Sequence, residues 1–359
     1  MRCYNFNGGP GALPQSVLER VAEEILDWRG TGMSVMEASH RSKEVGAMCE
    51  ETQGQVKSLL GLGPEWAVVF CQGGASLQFA MLPLNFAGPG GVCDYVNTGL
   101  WATKAYDEAK VCGAAAHLAA TSEAEAFTYI PSSFDFSERP AYVYLCANNT
   151  VRGTRWPSFP KNAPGPLVGD FSSEFMARRH DLTDFGLAFA GAQKNVGPAG
   201  LTVVMVRKDF AESGKKGLPH MLDYRTYVKN DSMYNTPPVF SIYVANLIFK
   251  WIEDAGGLSE IEARNEAKAK KLYGFIDQSG GFYRGTARVD SRSPMNVTFR
   301  LADENLEKPF LEGAKKEGMV GLGGHRSVGG VRASLYNAVG LDAVDCLTSY
   351  MKAFMDKNG

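Results

Sequence analysis

The chain has 359 residues, of which 45% are hydrophobic and 21% charged, and its formal net charge is −2. This length usually divides into two domains, and the lack of a Lys- or Arg-rich block argues against nucleic acid or a membrane surface as a partner. Seven dispersed cysteines without a Cys-x-x-Cys pair favour neither a zinc site nor a disulfide framework. Without a signal segment or a run of about 20 apolar residues, we expect a cytoplasmic protein that spans no membrane and holds no metal.

The spacing of apolar residues predicts the secondary structure in chain order. Helical spacing occurs near the start of the chain at 14–28 and 44–60, and again later at 245–255 and 259–276. Short apolar runs predict strands at 67–71, 92–96, 141–146, 166–168, 187–190, 201–206, 296–301 and 331–335. Since helical segments separate several of the first six runs, the pattern favours an α/β fold with a mostly parallel sheet covered on both faces, followed by a smaller α+β domain.

A glycine-rich turn follows the first predicted strand. Gly73 and Gly74 allow close approach of the backbone, and the helix that begins there offers free N–H groups to an anion through Ala75 and Ser76. The spacing of the glycines differs from a dinucleotide-binding fingerprint. A turn that simply needs flexibility explains the same residues equally well.

Two charged residues follow later strands. Asp170 comes at the end of the fourth run, where ligands bind in open α/β sheets, and a carboxylate there can hold a protonated pyridine nitrogen. Lys194 comes directly after the fifth run among small residues, a setting in which an amine can lose its proton and attack a carbonyl. Taken alone, Asp170 could cap the next segment, and Lys194 could be a surface lysine in a glycine-rich loop.

Basic residues cluster in polar or glycine-rich segments at both ends of the chain. His40 and Arg41 precede the second predicted helix, and His325, Arg326 and Arg332 surround the last predicted strand. A guanidinium fork suits carboxylate and phosphate groups, and a neighbouring histidine adds a donor. These residues are candidate anion receptors, although each arginine alone could be a solvated surface residue.

Taken in order, these segments resemble the phosphoserine aminotransferases, a family of fold-type I enzymes that depend on pyridoxal 5'-phosphate (PLP). The resemblance runs essentially from end to end. Its motifs are Tyr4-Asn5-Phe6-Asn7-Gly8-Gly9-Pro10, His40-Arg41-Ser42, Gly73 to Phe79, Gly99-Leu100-Trp101, Asn149 to Thr154, Asp170 to Ser173, Gln193 to Gly200, Tyr234 to Pro238 and Gly324 to Ser334. The resemblance implies a seven-stranded sheet in a large domain at 16–257, a small domain at 258–359, and an amino-terminal segment at 1–15 that joins the small domain.

The resemblance also implies how the cofactor is held. Lys194 would bind PLP covalently and move a proton, Asp170 would pair with the ring nitrogen, and Trp101 would stack on the ring. The other positions matched to cofactor contacts are Gly74, Ala75 and Ser76 at the phosphate, Thr150 and Gln193 near the ring, and Asn235 and Thr236. The last two would complete the site of the other subunit of a homodimer.

The substrates implied by the resemblance are L-glutamate, 2-oxoglutarate, O-phospho-L-serine and 3-phosphooxypyruvate. Arg332 would bind the α-carboxylate of each, and the distal anion would be bound by His40, Arg41, His325 and Arg326, whose subunit of origin is left open. Phosphorylated hydroxythreonine, an intermediate of vitamin B6 synthesis, is a possible further substrate. The alternatives are another PLP enzyme of the same fold, or a nucleotide-binding α/β protein without covalent chemistry.

Overall fold

The computed structural model describes residues 2–359. Within that range the α-helices are α1 (Gln15–Glu24), α2 (Lys43–Leu60), α3 (Gly74–Leu82), α4 (Leu100–Val111), α5 (Lys208–Glu212), α6 (Tyr224–Lys229), α7 (Val239–Asp254), α8 (Gly257–Asp277), α9 (Glu307–Lys316) and α10 (Leu341–Asn358). The strands are β1 (Tyr4–Asn5), β2 (Trp66–Cys71), β3 (Val92–Asn97), β4 (Ala115–Thr121), β5 (Val143–Cys146), β6 (Asn148–Asn149), β7 (Thr154–Arg155), β8 (Leu167–Asp170), β9 (Phe185–Gly191), β10 (Thr202–Arg207), β11 (Tyr283–Gly285), β12 (Asn296–Leu301), β13 (Met319–Val320) and β14 (Val331–Ser334).

The largest sheet has seven strands in the order β2-β10-β9-β8-β5-β3-β4. The pairs β9–β8, β8–β5, β5–β3 and β3–β4 are parallel. Strand β10 runs antiparallel to both β2 and β9, so β2 and β9 have the same direction as the other parallel strands. The predicted α/β fold with a mostly parallel sheet is therefore confirmed.

Residues alternate between the two faces of this sheet, as side chains on a strand must. In β2, Val68 and Phe70 belong to the core that α2 and α7 share. Their neighbours Val69 and Cys71 belong to the opposite core, which contains residues of α3 and α4. Because helices cover both faces, the strands inside the sheet are largely buried and read as mostly apolar runs.

Several elements differ from the sequence prediction, among them one strand of the large sheet and the first helix. Strand β4 was not predicted, because it lies at the sheet edge and is only partly buried, so its sequence contains no continuous apolar run. The first helix was predicted to continue to residue 28, which is wrong. Helix α1 ends at Glu24, and beyond it Leu26 is 83% exposed and Arg29 has a left-handed φ of 55°.

The carboxy-terminal part contains a second, smaller sheet in the order β11-β12-β14, in which neighbouring strands are antiparallel. Its core includes residues of α8, α9 and α10. Strand β1 pairs in parallel with β13, and the fully buried Phe6 lies in the same core. The domain limits 1–15, 16–257 and 258–359 remain predictions. Between residues 2 and 359, none of the helices has the length and apolarity needed to cross a membrane.

Candidate active site

The parallel strands of the large sheet end at one edge. The pairing register places Cys146 of β5 opposite Asp170 of β8, and Thr202 of β10 opposite both Cys71 of β2 and Gly191 of β9. The segments that leave this edge carry the predicted site residues: the glycine-rich turn, Trp101, Thr150, Asp170 and Lys194. Five separate stretches of sequence thus converge at the carboxyl ends of the strands, where open α/β sheets bind ligands.

Lys194 lies in the loop after β9 and is only 8% exposed. Its Nζ donates a 2.7 Å hydrogen bond to Oγ1 of Thr150. Burial lowers the pKa of Lys194 and the charge of Arg332 lowers it further, whereas the charges of Asp170 and Cys146 raise it. The net lowering increases the share of neutral amine, which is the nucleophilic form.

Asp170 ends β8 and is 4% exposed. Its Oδ1 accepts a 2.9 Å hydrogen bond from the backbone N–H of Ser172, which is the local capping contact that the sequence left open. Burial raises the pKa of Asp170, while hydrogen bonding from Ser172 and the charge of Lys194 lower it. The carboxylate therefore both closes a local turn and interacts with the Lys194 amine across the site.

Trp101 lies in the first turn of α4, with its ring centroid 5.7 Å from Nζ of Lys194. Its indole Nε1 has no hydrogen-bond partner within residues 2–359, although that atom is buried. Gly99, just before the helix, has a φ of 153°, and a Cβ there would collide with the side-chain amide of Asn149. Asn149 in turn donates a 2.6 Å hydrogen bond to the Thr98 carbonyl, which fixes the approach of the chain to Trp101.

The glycine-rich turn forms the start of α3. Gly73 and Gly74 both have left-handed φ values, of 83° and 63°, and no side chain among residues 2–359 caps the helix. The first-turn N–H groups, which include those of Ala75 and Ser76, are therefore available to an anion. Beside this turn, Nε2 of Gln72 donates to the Thr236 carbonyl at 3.2 Å, and Nδ2 of Asn235 contacts Oε1 of Gln72 at 3.4 Å.

Arg332 lies on β14 of the smaller sheet and also contacts the site. Its Nη1 lies 3.4 Å from the Thr150 carbonyl, and its Nε is buried without a partner among the described residues. A Cβ on Gly8 would lie 2.6 Å from Nη2, so the amino-terminal segment covers the guanidinium closely. Tyr336 holds that segment by donating a 2.9 Å hydrogen bond to the Gly8 carbonyl.

Gln193 also contacts the amino-terminal segment. Its carbonyl accepts a 2.7 Å hydrogen bond from the Gly11 N–H. Gln193 itself is half-buried, directly before Lys194. The contact fixes the segment next to the lysine loop. Neither this contact nor the hydrogen bond from Tyr336 to Gly8 was predicted from the sequence. A tyrosine directly after a predicted strand offers no pattern that points to a site.

His325 and Arg326 lie in the loop before β14. Nδ1 of His325 is 2.8 Å from Oγ of Ser327, and Arg326 is exposed. Burial lowers the pKa of His325, and the charges of Arg332, Arg326 and Lys104 lower it further. The structure therefore brings His325, Arg326 and Arg332 together. Lys104 was missed by the sequence analysis, although its position three residues after Trp101 on α4 was a usable signal.

His40 and Arg41 precede α2. Arg41 is exposed, and Nε2 of His40 is buried without a hydrogen-bond partner among residues 2–359. Across those residues, no hydrogen bond or salt bridge joins either side chain to Lys194, Asp170 or Arg332. Arg332 therefore reaches the site through its contact with Thr150, and His325 and Arg326 are linked to it through the effect of their charges on one another. No contact within residues 2–359 connects His40 and Arg41 to the site.

A mostly parallel seven-stranded sheet, with an amine and a carboxylate buried at its carboxyl edge, defines the class of protein as a fold-type I transferase. The family model described as "Aminotransferase class-V" matches residues 3–347. A phosphoserine aminotransferase of Herpetosiphon aurantiacus is 52% identical over 361 residues, which cover 100% of both chains. The chain therefore belongs to the phosphoserine aminotransferases, within the class-V aminotransferase family.

Solved structures agree with this assignment. The phosphoserine aminotransferase of Bacillus circulans subsp. alkalophilus has a TM-score of 0.97 at 50% identity, and the match covers 100% of this chain and 99% of the Bacillus chain. A PLP-bound phosphoserine aminotransferase from Trichomonas vaginalis has a TM-score of 0.93 at 41% identity, and the match covers 98% of this chain and 100% of the Trichomonas chain.

Proposed function

We propose that this protein uses PLP to transfer an amino group reversibly between L-glutamate and 3-phosphooxypyruvate, giving 2-oxoglutarate and O-phospho-L-serine. The observation that carries the proposal is the burial of Lys194 and Asp170 at one sheet edge in a chain that belongs to the phosphoserine aminotransferases. A role of this reaction in serine biosynthesis is part of the proposal. The cytoplasmic location remains a prediction.

The residues at the sheet edge fit PLP. A buried amine and a buried carboxylate lie at this edge together with an indole N–H, and within residues 2–359 that N–H has no hydrogen-bond partner and no side chain caps the nearby start of α3. When bound, PLP supplies an aldehyde for a covalent link to an amine and a protonated ring that withdraws electrons from the substrate Cα. We assign the ring nitrogen to Asp170, the ring face to Trp101, the phosphate to the N–H groups of Gly74, Ala75 and Ser76, and polar contacts to Thr150 and Gln193.

Lys194 is the proposed proton carrier. Its lowered pKa favours the neutral amine, which can accept a proton from the substrate Cα and later return it. The hydrogen bond to Thr150 orients Nζ, and the amino-terminal segment lies against the lysine loop through the Gly11–Gln193 contact. That segment therefore helps to exclude water from the amine.

Substrate recognition depends on two anions in each substrate. Arg332 is proposed to bind the α-carboxylate, since its guanidinium is partly buried beside Thr150 and its Nε has no partner within residues 2–359. We propose that His325 and Arg326, with His40 and Arg41, bind the phosphate or the distal carboxylate of glutamate. Each charge-assisted hydrogen bond is worth about 1.5–3 kcal/mol net. Serine, which lacks the second anion, leaves these donors without a partner. Activity on 4-phosphohydroxy-L-threonine remains a prediction.

A homodimer is part of the proposal, with Asn235 and Thr236 completing the phosphate site of the other subunit. In this chain Thr236 is exposed, and the Gln72 side chain forms hydrogen bonds with both the Thr236 carbonyl and the Asn235 side chain. Co-expression of a Lys194→Ala chain with an Asn235→Ala/Thr236→Ala chain tests this arrangement. If the site is shared, the mixed dimer contains one site with every residue intact and regains activity. If each chain uses its own Asn235 and Thr236, mixing restores nothing.

The test of the function itself is the visible absorption of the PLP-loaded protein during titration with O-phospho-L-serine, with L-serine as the matched control. We expect the absorption of the lysine-bound cofactor to disappear with phosphoserine and to persist with serine. Loss of the band with both amino acids would move the function to another aminotransferase. Failure of the purified protein to bind PLP would overturn the cofactor assignment.

A further inference from the structure

The basic side chains around His325 include one cation that is not part of the assigned site. Lys104 lies on α4 one turn after Trp101, and its Nζ is 4.9 Å from the centroid of the Trp101 ring. The same ring centroid is 5.7 Å from Nζ of Lys194. One indole ring therefore lies close to both amines, and a cation near its π face gains an attraction to the ring.

The charge of Lys104 also reaches the small domain. It is one of three positive charges, with Arg332 and Arg326, that lower the pKa of His325. Across residues 2–359, Lys104 makes no salt bridge. By contrast, Lys110 on the same helix lies 3.3 Å from a carboxylate oxygen of Asp107 and 3.6 Å from the ring centroid of Tyr106. Lys104 is thus an exposed cation beside the Trp101 ring, and its charge adds to those of Arg326 and Arg332 at His325. A bound anion stabilises such a concentration of positive charge.

We propose that Lys104 is a specificity residue that adds a positive charge from the large domain to the receptor for the phosphate end of the substrate. The proposal rests on the proposed function, since it assumes that His325 and Arg326 bind this group. A phosphate carries about −1.5 to −2 charges at neutral pH, whereas the distal carboxylate of glutamate carries one. An additional cation therefore favours the phosphorylated substrates over glutamate. The residue does not take part in proton transfer, so turnover at saturation should not change.

Lys104→Gln tests the proposal, with Lys110→Gln as the matched control on the same helix and Lys104→Arg as the variant that keeps the charge. We expect Lys104→Gln to raise the KM for O-phospho-L-serine about three- to tenfold, as loss of one exposed charge contact would. The KM for L-glutamate should rise less, and kcat should stay within about twofold. Lys104→Arg should restore the wild-type KM, and Lys110→Gln should behave like wild type.

Two readouts do not depend on turnover. Sulfate is a dianion throughout the neutral range, and its dissociation constant measured by calorimetry should rise by the same factor in Lys104→Gln. Removal of a neighbouring positive charge should also raise the pKa of His325. An NMR titration of histidine-labelled protein measures this pKa. The chain has five histidines, so loss of one signal in His325→Asn assigns the resonance.

Equal effects of Lys104→Gln on both substrates, or unchanged sulfate binding, would overturn the role of Lys104. This failure is distinguishable from failure of the proposed function. If wild-type protein acts on phosphoserine but not on serine while Lys104→Gln matches it in every readout, only the present inference is wrong. A second outcome is that wild-type protein does not act on phosphoserine, while the Lys104→Gln variant binds sulfate more weakly than wild type. In that case the anion receptor is supported and the proposed reaction is wrong.

Discussion

Nζ of Lys194 donates a 2.7 Å hydrogen bond to Oγ1 of Thr150, which joins the loop after β9 to the loop after β6. The carbonyl of the same threonine lies 3.4 Å from Nη1 of Arg332. Thr150 therefore contacts both the proposed proton carrier and the proposed carboxylate receptor. Its position fixes the distance between the two groups that must act on the same substrate carbon.

Thr150→Val removes the hydroxyl that accepts a hydrogen bond from Lys194. An acceptor stabilises the ammonium form, so its loss lowers the pKa of Lys194 further and makes neutral amine available at lower pH. We expect the pH dependence of covalent PLP capture by the cofactor-free protein to move toward lower pH. Thr150→Ser keeps the hydroxyl and should retain the wild-type profile. An unchanged profile in Thr150→Val would show that the hydrogen bond does not control the protonation of the amine.

Asp170→Asn keeps the shape of the side chain and removes its charge. Loss of one preorganised electrostatic contact in an active site typically costs about 10²- to 10³-fold in kcat, and we expect a loss of this size. Asp181→Asn is the matched control, because Asp181 is exposed, pairs with Lys161 and precedes β9, whereas Lys194 follows the other end of that strand. Steady-state kinetics of both variants after PLP loading provides the measurement. Wild-type turnover in Asp170→Asn would remove the carboxylate from the mechanism.

The sequence was sufficient to predict the sheet and the residues at its carboxyl edge. Buried parallel strands are apolar along their whole length, so each of the six predicted runs in the large domain is a strand of the sheet. Polar residues immediately after such runs, such as Asp170 and Lys194, can lie only at the strand ends. The family resemblance then distinguished these residues from a local cap and a surface lysine, which the residues alone could not.

Other features depend on tertiary contacts that carry no local signal. Strand β4 lies at the edge of the sheet and lacks the apolar run of a central strand. Tyr336 reaches the site because the chain after β14 lies beside the amino-terminal segment, and its position has no distinctive neighbour in sequence. His40 and Arg41 were predicted at the site from resemblance alone, and the contacts of a single chain do not test that role.

Lys268 links α8 to the loop after β14. It is 2% exposed, and Nζ donates to the carbonyls of Leu335, Tyr336 and Val339 at 3.0, 2.9 and 2.8 Å. Lys268→Met would leave these buried carbonyls without their donor, so we expect a loss of about 3 kcal/mol or more in the free energy of unfolding. Chemical denaturation of the cofactor-free protein measures this change.

Lys271→Met provides the control for Lys268→Met. Lys271 lies on the same helix, is exposed and pairs with Asp345 at the surface. An exposed ion pair contributes no more than about 1 kcal/mol, so this variant should unfold almost like wild type. Equal destabilisation by the two substitutions would mean that the carbonyl contacts of Lys268 add nothing beyond a surface lysine.

Arg332→Lys tests whether one guanidinium serves both substrates. Lysine keeps the charge and loses the planar fork that binds a carboxylate bidentately. Since L-glutamate and O-phospho-L-serine both carry an α-carboxylate, the KM for each should rise by a similar factor, about 10- to 100-fold. Arg284→Lys is the control, because Arg284 is exposed on β11 and contacts the carbonyl of Gly281. A rise confined to phosphoserine would show that Arg332 does not bind the α-carboxylate common to both substrates, which would then require a different receptor.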